Sequence, residues 1–290
     1  MSITAGAQCM LCYFERNMNL AKSLGNEEQA TRFLKALMEM FLNAPEGVSS
    51  PWFTPHTAQL LHEIYGEELD RYKQEKRESN AFVLARMESL RQAVESAEDP
   101  FLAALQFAIL GNYIDFSALR GEVSFELLED MMTQALQMRL NGDAVESLRN
   151  DLSQGKKLLY ITDNAGEIGF DRICAEVIHR LFPHLQITFL VRGGPANNDA
   201  LLEDALAVGV TFPIVENGNC IPGTQLDQLS PEAKAAIEEA DVILSKGQGN
   251  VETLYGCGYN IYYAFLIKCQ LFVKMFGLPK LTPMLLKERK

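Results

Sequence analysis

Basic residues are in short supply: 26 Lys and Arg stand against 38 Asp and Glu in 290 residues, a formal net charge of −12 and a pI near 4.9. A field of that sign repels phosphate backbones and anionic lipid headgroups, so neither nucleic acid nor a membrane surface is an expected partner. Long uncharged apolar runs are missing too. The most apolar stretch, 254–278, is cut by Lys268 and Lys274 and falls short of the roughly 18 residues a membrane span needs; it reads as a buried helix. The opening residues MSITAGAQCMLCYFERN have no basic stretch before an apolar one, and Glu15 and Arg16 interrupt them, so no secretory leader is expected. Cysteine is sparse, with six in the chain, which points to reduced thiols and a cytoplasmic location rather than a disulfide scaffold.

Several signatures of chemistry are also absent. The four histidines show no HExxH or other zinc spacing, and there is no GxSxG, which sets aside histidine-held zinc and serine acyl transfer. GxxxxGK[ST] does not occur, and DNAGEIG has the wrong spacing for GxGxxG, which sets aside P-loop and dinucleotide sites. Neither an internal repeat nor a low-complexity tract is present.

What remains is an ordinary globular composition, 48% hydrophobic and 22% charged, long enough for one or two domains. Residues 1–150 carry a helical period with helix-start signals at Asn26, Thr54-Pro55, Asp99-Pro100 and Gly142-Asp143 and read as an all-helical domain. Within them DRYKQEKRESN reads as a solvated helix face. Residues 151–290 change texture. Apolar runs at 157–162, 186–191, 210–215 and 241–246 alternate with helical patterns at 167–181, 198–207 and 231–239. That order predicts an α/β fold, a mostly parallel sheet covered by helices on both faces, with ligands at the carboxyl ends of the strands.

The residues after those strands are therefore the candidates. Asp163-Asn164-Ala165-Gly166-Glu167 follows the first run, and Arg192-Gly193-Gly194-Pro195-Ala196-Asn197-Asn198-Asp199 follows the second. Each offers carboxylate and amide oxygens of the kind hard divalent cations take, although Asp163 or Asn164 also suits a helix cap. Ser245-Lys246-Gly247-Gln248-Gly249-Asn250 follows the fourth run. Its glycines and lysine suit a phosphate cradle, or else a plain left-handed turn. GNYIDF, residues 111–116, breaks an apolar stripe with Asn112 and Asp115; it either faces the crevice or ends a helix.

Taken together, these blocks resemble the DUF89 family of metal-dependent damage-control phosphatases, in particular its prokaryotic branch. Cys9-Met-Leu-Cys12, GNYIDF, DNAGE with Asp171 beyond, RGGPANND, and KGQGN with Glu252 and then Lys268-Cys269 carry the likeness over the whole chain. The resemblance implies an α/β/α sandwich with an N-terminal helical domain. It also implies one divalent ion (manganese, cobalt, nickel or magnesium) on Asp163, Asn164 and Asp199, and hydrolysis of a small phosphate monoester such as a sugar phosphate. Lys246 is expected at the phosphate, with Gly247, Gly249, Asn250, Arg192, Asn112, Asp115 and Glu167 as further substrate contacts. A phosphometabolite-binding protein without turnover, or a small-molecule methyltransferase, are the alternatives; the substrate and the oligomeric state stay open. Cys9 and Cys12 are expected as mostly buried, reduced thiols near Cys269 with a structural role, because a structural zinc takes four ligands and no second CxxC is present.

Overall fold

The computed structural model describes residues 3–115 and 123–288, so Phe116 of GNYIDF lies outside the described residues. The first three helices, α1 (Ala7–Leu24), α2 (Glu27–Leu42) and α3 (Phe53–Tyr65), close around their own core of Tyr13, Phe33, Leu37 and Phe53. Asn26 caps α2 in a reciprocal box with Gln29, which satisfies two amides the helix start would otherwise leave bare. Five further helices follow: α4 (Lys73–Leu84), α5 (Met87–Glu95), α6 (Pro100–Gly111), α7 (Phe125–Gln134) and α8 (Gly142–Gln154).

After α8 the chain alternates, in order, β1 (Lys157–Ile161), α9 (Glu167–Leu181), β2 (Gln186–Val191), α10 (Leu202–Ala207), β3 (Ile214–Glu216), α11 (Pro231–Glu239), β4 (Val242–Lys246), α12 (Gln248–Leu254), β5 (Ile261–Leu266), α13 (Gln270–Phe276) and β6 (Pro283–Lys287). The sheet runs β3-β2-β1-β4-β5-β6. All pairings are parallel except β5 with β6. It is a three-layer α/β/α sandwich with further helices. On one face α4–α6, α8 and α9 share a single apolar core with Leu158, Tyr160, Phe189 and Leu244; on the other, α11–α13 cover Leu159, Ile161, Ile243 and Phe265. Helix α6 is apolar nearly all round, and of its residues only Pro100 and Leu102 escape full burial, as befits a helix packed on α9 and over the sheet. Each such leucine or phenylalanine contributes roughly 1.5–3 kcal/mol.

Three expectations are corrected here. The apolar stretch 254–278 is not one helix. It is the strand β5, a turn and the seven-residue α13; a strand buried on both faces shows no alternation, so periodicity cannot tell it from a buried helix. The run 210–215 contributes only the edge strand β3. DRYKQEKRESN is not all solvated, because Lys76 is buried with its ammonium 2.9 Å from Asp70, and Ser79 and Asn80 are buried against the α/β layer. Among the described residues no helix is long and apolar enough to cross a membrane.

The strand order reverses at β1. Connections from β1 lead outward through β2 to β3, then return to β4 on the other side of β1. A crevice must open at the carboxyl ends of β1 and β4.

Candidate functional site

The loops leaving β1 and β2 are zipped together at that crevice. Ala165 N donates to Asn198 O at 2.9 Å and Ala200 N to Asp163 O at 2.7 Å, and a short antiparallel pairing sets Asn164 opposite Asp199. Gly166 turns the first loop into α9 at φ 76°. A Cβ there would stand 2.6 Å from Ser79, so only glycine fits; its N–H donates to Asn80 Oδ1 at 2.7 Å. Asp163, Asn164 and Asp199 thus meet on one wall of a cavity of about 350 Å³.

Hydrogen bonds to the two carboxylates fall on one oxygen of each. Asp163 Oδ2 accepts from Asn112 Nδ2 at 2.9 Å and Asn164 Nδ2 at 2.8 Å. Asp199 Oδ2 accepts from Arg192 Nε at 2.7 Å. Asn164 Oδ1 accepts from Asn198 Nδ2 at 2.8 Å and keeps a second lone pair.

Beneath this wall lies a buried scaffold. Lys246 Nζ donates to Glu167 Oε1 at 2.5 Å, Asp171 Oδ1 at 2.8 Å and Ala108 O at 2.7 Å, which uses all three ammonium hydrogens. Glu167 in turn accepts from Asn112 Nδ2 and from Asn164 N and Nδ2, and Tyr160 OH donates to Asp171 at 2.9 Å. Asn250 Nδ2 donates to Thr162 O and Lys246 O, and its Oδ1 accepts from Thr224 and Arg192.

The expected phosphate cradle is therefore corrected. Lys246, Arg192, Asn250, Glu167 and Asn112 are fully buried supports, and none of them lines the cavity. Gly247 N donates to Ala264 O, and a Cβ at Gly247 would come within 1.9 Å of Asp163 Oδ2. That glycine exists to let the carboxylate in. Asp115, Gly249, Asp163, Asn164 and Asp199 do line the cavity.

A basic group beside the expected ligands is Lys268, just after β5, whose Nζ donates to Asp115 Oδ2 at 2.7 Å; Arg16 and Lys280 line the cavity as well. The signal of Lys268 in the sequence was a charge ending an apolar run. Asn197, with φ 52°, Gln248, Glu252 and Arg16 also line the cavity and had not been singled out as site residues; Asn80, hidden in a charged helix, was missed as a support.

A family model for the damage-control phosphatase ARMT1-like domain matches residues 5–281. The chain belongs to this family. An uncharacterised protein of Methanocaldococcus jannaschii is 31% identical, covering 99% of this chain and 96% of its own. A damage-control phosphatase of Archaeoglobus fulgidus is 31% identical over 93% of this chain and 94% of its own. The crystal structure of a DUF89 family protein from Pyrococcus horikoshii superposes over 100% of both chains with a TM-score of 0.82 at 24% identity, so the fold is shared.

In this member the centre carries more negative charge than its cations balance. Asp115, Asp163, Glu167, Asp171 and Asp199 surround Arg192, Lys246 and Lys268, five carboxylates to three cations. Burial, then the charges of Asp199 and Glu167, push Asp163 well above the usual carboxylate range. Burial likewise raises Asp199, to about 6, against the pull of Arg192. Burial alone would lower Lys246, but Asp171 and Glu167 outweigh it and hold the ammonium above its ordinary value. The surplus of two matches one divalent cation. Among the described residues no three His, Cys, Asp or Glu side chains converge as ligands; Asp163, Asn164 and Asp199 could offer an ion two carboxylates and an amide. That is the sparse oxygen set on which magnesium-like ions keep waters and take substrate phosphate.

Proposed function

We propose that the chain is a divalent-metal-dependent phosphatase acting on a small phosphorylated metabolite, with Asp163, Asn164 and Asp199 as the metal ligands. The observation that carries this is the surplus negative charge around two carboxylates and an amide at the reversal of strand order, beside a cavity that also presents Lys268. Asp163, Asn164 and Asp199 would hold the ion, whose chemistry there would be to polarise a phosphoryl oxygen and lower the pKa of a water. Membership of a family whose relatives include a protein named a damage-control phosphatase supports the hydrolytic reading.

This chain's own residues do the rest. Asn112 and Asn164, tied through Glu167 to Lys246, fix Asp163 Oδ2, while Arg192 fixes Asp199. Each ligand is thereby held without reorganisation, which is where electrostatic catalysis gains most. Lys268, held by Asp115, supplies a charged donor for a phosphate oxygen. No protein nucleophile is required.

The reading is tested by hydrolysis of p-nitrophenyl phosphate with added Mn²⁺, Co²⁺, Ni²⁺ or Mg²⁺. Activity that needs the metal and vanishes in Asp163→Asn and Asp199→Asn is the expected outcome. Metal-independent activity, or full activity in either variant, would sink it.

A further inference from the structure

The cysteine motif at the start of the chain is not absorbed by that mechanism, and its thiols are less buried than expected. Cys9 is the third residue of α1, so the CxxC occupies the helix start. Cys12 is exposed, and Cys9 and Cys269 are only half-buried. All three line the cavity that holds Asp163 and Asp199. The motif also stands beside the α/β layer. Ile3 N, in the segment leading into α1, donates to Glu252 O of α12 at 2.8 Å, and Cys269 is the N-cap of α13.

The geometry within α1 decides which thiols can join. Residues three apart on a helix have Cα atoms about 5 Å apart, from the 1.5 Å rise and 2.3 Å radius. That lies inside the Cα span of protein disulfides, while Cβ atoms three apart on a helix stand about 5–6 Å apart, so closing the bridge draws the two residues together and moves this turn of the helix. Both side chains face one cavity, so they share a helix face. A thiol-held metal is the competing use, but no three His, Cys, Asp or Glu side chains among the described residues are placed to hold one.

We propose that Cys9 and Cys12 form a redox-active dithiol on the wall of the catalytic cavity, converted to a disulfide by hydroperoxides. Exposed Cys12 is the thiol that reacts first. Burial, and next the Glu252 carboxyl, push Cys9 up to about 11, which keeps it a thiol until it is used. Cys12 sulfur attacks the O–O bond and breaks it, releasing an alcohol and leaving a sulfenic acid. Cys9 sulfur then attacks that sulfur, forming the S–S bond and expelling the hydroxyl as water with the Cys9 proton. Two electrons pass from the two sulfurs to the peroxide, so both products balance. Arg16 follows Cys12 by four residues on α1 and lines the same cavity, so locking the first turn of the helix shifts a wall of the site.

The test treats the full chain with tert-butyl hydroperoxide and then with dithiothreitol. Of six thiols, two should disappear on oxidation and return on reduction, with loss of two hydrogens in mass and a peptide linking Cys9 to Cys12. Cys12→Ser, and Cys12→Ala as a second variant, should abolish that link. Peroxide that leaves all thiols intact, joins a different pair, or meets a reduced chain already holding stoichiometric zinc would overturn the proposal. Where metal-dependent hydrolysis is present, oxidation should lower kcat/KM about tenfold or more, since ångström shifts of positioning groups cost that much; an unchanged value would refute the coupling to the cavity. The thiol and mass readouts do not depend on the phosphatase reading, so the two can fail separately.

Discussion

Replacing Lys246 with methionine separates two roles for that lysine, a phosphate contact or an internal tie. Its ammonium holds two carboxylates and a carbonyl at 2.5–2.8 Å, and Lys246, Glu167 and Asp171 are all 0% exposed. Methionine keeps the volume but leaves both acids without their counter-charge. Glu167 retains the Asn112 and Asn164 amides, whereas Asp171 retains only the Tyr160 hydroxyl, and its Oδ2 has no hydrogen-bond partner even in the parent. Breaking a buried pair from one side costs about 3–5 kcal/mol. The account therefore expects a loss of that size in urea unfolding near pH 8. Burial already lifts Asp171 to about 7, and without Lys246 it rises further. Protonation then removes the uncompensated charge, so the variant's deficit should be greatest at high pH, shrink as pH falls toward 7, and level off below 7, where the parent's Asp171 is protonated as well. Adding Asp171→Asn to Lys246→Met should recover part of the loss at pH 8. A variant within about 1 kcal/mol of the parent, impaired only in KM, would refute the tie and restore the phosphate contact.

Three other perturbations probe neighbouring parts of the site. Gly247→Ala places a Cβ on Asp163 at a backbone φ of 77°; it should cost roughly 1–3 kcal/mol in unfolding experiments and remove divalent-ion binding. Lys268→Ala should lower kcat/KM roughly ten- to a hundredfold, the worth of one charge-assisted hydrogen bond, with metal affinity measured by titration little changed. Glu252, lifted to about 7 chiefly by burial against the partial relief of Arg16, binds its proton more tightly in the folded chain. Its contribution to stability is therefore complete below the ordinary value of 4.5 and declines as pH rises from there to 7. Glu252→Gln should flatten that decline, by about 2 kcal/mol after allowing for its partial exposure, in thermal or urea unfolding followed across the window.

The sequence was most readable where local rules agree with the fold. Gln186–Val191, Glu167–Leu181 and Pro231–Glu239 occur as expected, because apolar runs and cap residues point the same way. Strand β5 was read as helix because all six of its residues are buried, which erases the period. At the site, spacing brought Asp163, Asn164 and Asp199 to neighbouring loops, and the structure sets them on one cavity wall. What spacing does not carry is direction. Lys246 and Lys268 each stand at the end of an apolar run, yet one turns under the sheet edge onto α6 and α9 and the other toward the cavity. The turn at Gly247, made for the Asp163 carboxylate, could not be told from an anion loop without the partner that fills it.

The central claim is that the surplus charge around Asp163 and Asp199 is there for one divalent cation. Calorimetric titration of Mn²⁺ into the parent and into Asp199→Asn, in metal-stripped protein, tests it most directly. The account predicts a single site in the parent, weakened by at least about tenfold in the variant as one of two carboxylate ligands loses its charge. No binding in the parent, or equal binding in both, would contradict it.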